Sequence, residues 1–312
     1  MKNKLICLIS LLPLISACSS VAPYEHDSLS IITPTGAPAV AFFNYANDQY
    51  FETNADAATG ILPLMVKGSK DIVVLPTNAG VQAIVNKGVN YKIAATITFG
   101  NLFVCATGND EDGTMDKDDY IVLFQKGNLP DLMFHYVYGD SLDEGIHYVG
   151  AASDASKCLA SGIDLSNDNH PVDYVLLAEP AVSTVLNQKS RRSVYANIQE
   201  LYKQKSGGLD MFQASVFVNN NADVDKVNSF LASLKEDIES GLKDSSSIVS
   251  GMNKSDDPAK LYGVNPAIIP SVIGENKNTL GLGFKNAKEN KKAIDKFLSI
   301  FNIAETDEKI YF

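Results

Sequence analysis

The sequence predicts an α/β protein of two lobes with a ligand cleft between them. Three observations carry that expectation. Short, near-continuous apolar runs alternate with helix-like stretches. The alternation occurs twice, over segments of similar length. A lone apolar run near residues 213–218 then leads into a long, mostly helical tail. Strands that are apolar almost throughout are buried on both faces, as in parallel sheets made of βαβ units.

The chain opens with a leader. Lys2 and Lys4 precede an apolar run over residues 5–15, followed by Ser16, Ala17 and Cys18. This is the charged, apolar and small-residue sequence of a secretory signal. The apolar run is shorter than the roughly 20 residues that a membrane-spanning helix needs. Ile15-Ser16-Ala17-Cys18 resembles the bacterial lipobox, so residues 1–17 are expected to be removed and Cys18 to carry lipid. A single acyl chain binds a membrane marginally, and two or more hold it stably. Residues 18–27 read as a small, polar tether. The expected location is extracytoplasmic, lipid-anchored to the bacterial cell membrane or periplasmic.

The first α/β segment follows. A strand is expected at residues 28–33, broken by Thr35-Gly36-Ala37-Pro38, with a helix over 39–46 and another over 57–67. Residues 71–75 form a continuous apolar strand ended by Pro76, and Thr77 or Asn78 is expected to cap a helix through 85. Residues 91–98 give another strand, ended by Phe99-Gly100-Asn101. The apolar run 102–106 continues the chain. The acidic stretch 109–119 fails the ligand spacing of a calcium loop and reads as a solvated turn. The second segment repeats the pattern. Strands are expected at 120–124, 147–150 and 172–176. Gly127-Asn128-Leu129-Pro130 opens one helix, Ser153 caps another through 161, and Glu179-Pro180 begins a third, with proline in the first turn where its missing N–H costs nothing. After the returning strand at 213–218, helices are expected over 223–242 and 286–301. The expected division is lobe 1 from 28–98 and 212–312, discontinuous in sequence, and lobe 2 from 99–211, hinged near 98–106 and 208–216.

Composition narrows the function. The net charge is −11, and loss of Lys2 and Lys4 with the leader makes it −13. That argues against nucleic acid or an anionic membrane surface as the main partner. The two arginines, Arg191 and Arg192, are adjacent and expected at the surface, so no arginine clamp on a ligand is expected. Cys105 and Cys158 remain after the leader is lost and are expected as buried thiols. The four histidines, His26, His135, His147 and His170, show no metal spacing, and no metal or cofactor is expected.

In open α/β sheets, ligands bind beyond the carboxyl ends of the strands. Helix N-termini there offer free N–H groups. Five turns fit that place: 35–38, 76–78, 99–101, 127–130 and 179–180. The strings Thr33-Pro34-Thr35-Gly36-Ala37-Pro38, Asp71-Ile72-Val73-Val74-Leu75-Pro76-Thr77-Asn78-Ala79-Gly80 and Ile93-Ala94-Ala95-Thr96-Ile97-Thr98-Phe99-Gly100 resemble the substrate-binding proteins of nitrate/sulfonate/taurine-type ABC importers, the family that includes thiamine-precursor binders. Tyr148-Val149-Gly150-Ala151-Ala152-Ser153-Asp154-Ala155, Asp173-Tyr174-Val175-Leu176-Leu177-Ala178-Glu179-Pro180 and the ending Asp307-Glu308-Lys309-Ile310-Tyr311-Phe312 fit as well.

The resemblance implies a two-lobed type II periplasmic-binding-protein-like fold. It also implies capture of a small polar organic molecule (a pyrimidine or thiamine precursor, an amine or a sulfonate-like compound) for an ABC permease and its ATPase. The carried-over candidates are Thr35, Gly36, Thr77, Asn78, Gly100, Asn101, Gly127, Asn128 and Glu179, with Gln213 on the returning strand. A monomer is expected, and no enzymatic activity. Gly-x-Ser-x-Gly, Walker A and full dinucleotide fingerprints are absent. The alternatives are a lipoprotein enzyme on the same fold and a ligand sensor.

Overall fold

The structure, a computed structural model, describes residues 29–189 and 191–312. The expected signal peptide (1–17), the expected lipidation site Cys18 and the expected tether (18–27) lie outside the described residues. Among the described residues no helix is long and apolar enough to cross a membrane.

Strand β1 (Ile31–Pro34) leads through Gly36 into a short helix α1 (Ala37–Val40). The expected helix over 39–46 stops early and tightens into a 3-10 turn, Phe43–Tyr45. Strand β2 (Phe51–Asn54) follows, and was not anticipated. Asp56 then caps a π-helical turn, Ala57–Ile61, which runs into α2 (Leu62–Lys67). Strand β3 (Ile72–Pro76) passes directly into α3 (Thr77–Lys87). Thr77 is the first residue of that helix and not its cap. Its hydroxyl is buried against Ser215 Oγ at 2.7 Å. Strand β4 (Tyr91–Thr98) ends this part.

The second sheet begins with β5 (Leu102–Ala106) and β6 (Ile121–Phe124). Helix α4 (Leu129–Tyr138), β7 (Ile146–Val149) and α5 (Ala152–Ser161) come next. A two-residue hairpin pairs β8 (Ile163–Asp164) with β9 (His170–Pro171). Strand β10 (Tyr174–Ala178) leads to α6 (Ala181–Leu186). Strand β11 (Ser193–Asn197) and α7 (Ile198–Ser206) were not anticipated. Asn197 caps α7 through the N–H groups of Gln199 and Glu200. Strand β12 (Ala214–Asn219) returns to the first sheet.

The tail holds α8 (Val224–Lys243), α9 (Ser245–Met252), α10 (Pro258–Tyr262) and α11 (Ile269–Val272). Asp223 caps α8, and Val227, Phe230, Leu234 and Ile238 recur at helical spacing on its buried face. A small hairpin, β13 (Ile273–Gly274) with β14 (Lys277–Asn278), precedes β15 (Leu282–Asn286) and α12 (Lys291–Leu298). The single helix expected over 286–301 is thus shortened, because Asn286 ends the edge strand β15 and residues 287–290 form a turn.

The first sheet has the order β15-β4-β12-β3-β1-β2, and the second β11-β5-β10-β6-β7. Both are mixed, which corrects the expectation of a parallel sheet. β1, β2 and β3 run parallel, but β12 is antiparallel to β3 and β4. Likewise β6 is parallel to β7 and β10, while β5 is antiparallel to β10. The physical reason is the path of the chain. β4 leaves the first sheet and β12 re-enters it at the same end, so β12 must run back the other way.

One face of the first sheet packs on α8, α9 and the loops around α11. The core on its other face is continuous with the core of the second sheet. Phe297 of α12 joins them, with its ring centroid 6.1 Å from Tyr202 and 6.3 Å from Phe212. Burying a ring of this kind stabilises by about 1.5–3 kcal/mol.

Candidate functional site

Two neighbourhoods contain the expected site residues. The first is a cavity of about 300 Å³ between the sheets. The turn after β3 supplies Pro76, Asn78 and Ala79, and Gln82 lies one helical turn further along α3. The turn after β6 supplies Gln125, Asn128, Leu129 and Pro130 from the second sheet. Asp56, Ala57 and Ala58, at the start of the π-helical turn, close a third side. Leu62 and Leu75 give it apolar walls.

The turn after β6 is built for a sharp bend. Gln125 has φ 56° and Gly127 φ 79°. Asp131 is buried and draws the bend inward, accepting a 2.7 Å bond from the Gly127 N–H and a 2.8 Å bond from the Tyr148 hydroxyl. Asp56 Oδ1 accepts from the N–H groups of Ala58 and Thr59, both at 2.9 Å. The Thr59 N–H, chief among these donors, holds the Asp56 carboxyl below its usual value. Asn78 Oδ1 is buried and has no hydrogen-bond partner.

The second neighbourhood is the crossover between the sheets. Gly100 has φ 98°, and a Cβ there would lie 2.2 Å from Gln199 Oε1. Asn101 and Glu179 exchange two bonds: the Glu179 N–H donates to the Asn101 carbonyl at 2.8 Å, and Asn101 Nδ2 donates to the Glu179 carbonyl at 3.0 Å. Gln213 Nε2 donates to Asn101 Oδ1 at 2.8 Å. Glu179 is 5 % exposed. Its carboxylate accepts from the Ser183 N–H (2.9 Å), the Ser183 hydroxyl (2.8 Å) and the Thr279 hydroxyl (3.2 Å). The Phe99 N–H donates to the Gly281 carbonyl at 2.7 Å. Beside them Asp210 receives Lys203 of α7 at 2.9 Å and Lys285 of β15.

The structure therefore separates the candidates. Asn78 and Asn128 line the cavity, with Thr77 and Gly127 next to them in sequence. Gly100, Asn101, Glu179 and Gln213 form the crossover network. Thr35 and Gly36 belong to neither group. The Gly36 N–H donates to the Tyr262 carbonyl at 2.7 Å, and Gly263 lies against Thr35. The Glu179 carboxylate faces a helix and a neighbouring loop through its bonds to Ser183 and Thr279, so a free cleft-facing carboxylate is not what the fold presents there.

Sequence reasoning missed Asp56, Ala57, Ala58, Gln82 and Gln125. Asp56 before a helix-like run is a cap signal that could have marked the third wall. Gln125 carried no signal, since a glutamine at positive φ is not legible from its neighbours. The expected exposure of Arg192 is also corrected. Its guanidinium donates to the carbonyls of Leu159 (2.6 Å), Thr107 and Ala160 (3.5 Å). Cys105 and Cys158 are buried thiols, with burial pushing Cys105 up to about 12 and Cys158 up to about 11.

No protein-family model matches the sequence, and no curated protein matches it. Solved structures do match. An ABC transporter protein from Parabacteroides distasonis aligns with TM-score 0.69 at 18% identity, covering 90% of this chain and 94% of that one. The periplasmic aliphatic sulphonate binding protein SsuA from Escherichia coli aligns with TM-score 0.60 at 13% identity, covering 90% and 91%. A Candida albicans gene product, CA3427, described as having the generic periplasmic binding protein fold, aligns with TM-score 0.56 at 13% identity, covering 90% and 92%. The chain has the two-lobed periplasmic-binding-protein fold.

Proposed function

We propose that this protein is an extracytoplasmic solute-binding lipoprotein that captures a small polar organic molecule and hands it to an ABC permease. The observation that carries the reading is the cavity of about 300 Å³ between the sheets, lined by the turns after β3 and β6. Its position beyond the carboxyl ends of the strands is where α/β folds hold ligands. Its volume is at the small end of the range for ligand pockets. The neighbouring ABC transporter proteins, which share the fold at low identity, add support.

The lobes in this reading are 28–98 with 212–312, and 99–211. A solute touching both turns binds the closed arrangement better than the open one. It therefore shifts the population toward closure by that difference in affinity. Residues 99–101 and 207–213 carry the chain between the sheets, and their bends absorb the motion. The thiamine-precursor resemblance and the sulphonate-binding neighbour suggest pyrimidine, amine or sulfonate-like solutes.

Native mass spectrometry of gently purified protein tests the reading. A retained small molecule, lost on unfolding, is the expected result. A bare protein that also shows no thermal stabilisation by any member of a broad solute library would contradict it. The lipid anchor has its own test: Cys18→Ala should abolish lipid labelling and release the protein from membranes. Retention of that variant on membranes would refute the anchor.

A further inference from the structure

The polar groups that the fold leaves without partners indicate the chemistry of the solute. This inference rests on the solute-binding reading above. Four oxygens near the turn after β3 and the crossover are buried with no hydrogen-bond partner: Asn78 Oδ1, Thr98 Oγ1, Gln199 Oε1 and Gln213 Oε1. Among the described residues, no buried side-chain nitrogen is in that condition. The three amide oxygens can only accept hydrogen bonds, while the Thr98 hydroxyl can also donate.

The orientation of Gln213 is forced. The Glu179 carbonyl can only accept, so Asn101 must turn Nδ2 toward it, as it does at 3.0 Å. That directs Asn101 Oδ1 to Gln213, which must answer with Nε2, at 2.8 Å. Gln213 Oε1 is thereby fixed as an unpartnered acceptor. The same residue's carbonyl accepts from the Thr77 N–H at 3.0 Å, one residue before Asn78 in the cavity wall. The backbone of the crossover network thus adjoins the start of α3, although the Gln213 side chain is not part of the cavity wall.

Charge points the same way. The cavity wall contains no lysine or arginine, and its one charged side chain is Asp56. The starts of α3, α4 and the π-helical turn reach the cavity, and helix starts favour anions. Two of the three are already answered from within the chain. Asp56 caps the π-helical turn, and Asp131 sits in the first turn of α4. An anionic solute would meet the Asp56 carboxylate and no cation in the cavity wall. The half-buried Arg192 is engaged by backbone carbonyls elsewhere.

We propose that the cavity takes a compact nitrogen compound that donates hydrogen bonds, either neutral or cationic: an amine, amidine, guanidine or amide. It selects against sulfonates, carboxylates and phosphates, although sulphonate-binding proteins share its fold.

The test begins with the accurate mass of whatever molecule the gently purified protein retains. It continues with calorimetric titration of the stripped protein against two sets of probes. One set is methylguanidine, acetamidine, 1,3-diaminopropane and acetamide. The other is methanesulfonate, hexanesulfonate, malonate and methyl phosphate. The expected result is binding within the nitrogen set alone, weakened about tenfold or more in Asn78→Ala. Asn78→Asp keeps the acceptor and should hold or tighten the cationic probes. Binding of a sulfonate or carboxylate that tightens in Asp56→Asn would overturn the inferred class while leaving solute binding intact. A retained anion would do the same. No retained molecule and no binding in either set would instead remove the solute-binding reading itself.

Discussion

The turn after β3 and the turn after β10 hold comparable places in their sheets. Each follows a buried strand, each contains a proline, and each opens a helix. The fold treats them differently. At the turn after β10, the Glu179 carboxylate accepts three hydrogen bonds, and its backbone is doubly tied to Asn101. At the turn after β3, Asn78 keeps a buried oxygen without a partner inside a cavity. The same sequence position can thus brace the crossover or face a ligand. Which it does depends on whether the fold already engages its polar atoms.

The largest expected effect lies on the braced side. A Cβ on Gly281 would lie 2.3 Å from the Gly100 carbonyl oxygen, and Gly281 has φ 66°. Gly281→Ala should therefore destabilise by about 2–4 kcal/mol, through backbone strain and a clash that no rotamer relieves. Chemical denaturation measures it. A loss under about 0.5 kcal/mol would mean the crossover yields easily, and the contrast between the two turns would fail.

Glu179→Gln comes next. It removes the charge from a buried group with three donors, so stability should fall by about 1–3 kcal/mol. The thermal shift produced by a bound solute should stay that of the wild type. A diminished solute shift with unchanged stability would move Glu179 back into the binding site.

The Asp210 cluster should show a smaller effect, with a definite sign in pH. Burial raises the Asp210 carboxyl, but the bonds from Lys285 and Lys203 outweigh it, and the net shift is downward. A lowered folded-state value means that the contribution is present above the unfolded value of about 3.9 and is lost as pH falls through the folded one. Asp210 is 22% exposed, and the two lysines are more open, so solvent screening keeps the contribution below about 1 kcal/mol. Asp210→Asn should be slightly less stable than the wild type above about pH 5 and approach it as pH falls through the lowered folded-state value. The opposite ordering would show that the cluster opposes folding.

Much of this was legible in the sequence. The strand β4 is expected and found over the same residues, because Ile93, Thr96, Ile97 and Thr98 are β-branched and the short run is buried on both faces. The place of Asn78 and Asn128 at strand ends was readable from their turns. What escaped was set by tertiary partners. β2, β11 and β15 are edge or near-edge strands with mixed composition, and only their pairing identifies them. Thr35 and Gly36 carry ligand-turn chemistry, yet the loop at Tyr262 and Gly263 covers them from far along the chain. Glu179 read as a candidate because no sequence rule places Thr279 beside it.

The central claim is that the turn after β3 binds solute while the turn after β10 braces the fold. Hydrogen exchange tests it most directly, comparing gently purified protein with the same protein unfolded, dialysed and refolded to strip any solute. The account predicts that stripping lowers protection at residues 78–82 and 125–131 and leaves residues 179–183 unchanged. Equal exchange at 78–82 in the two preparations, or protection lost at 179–183 in their place, would contradict it.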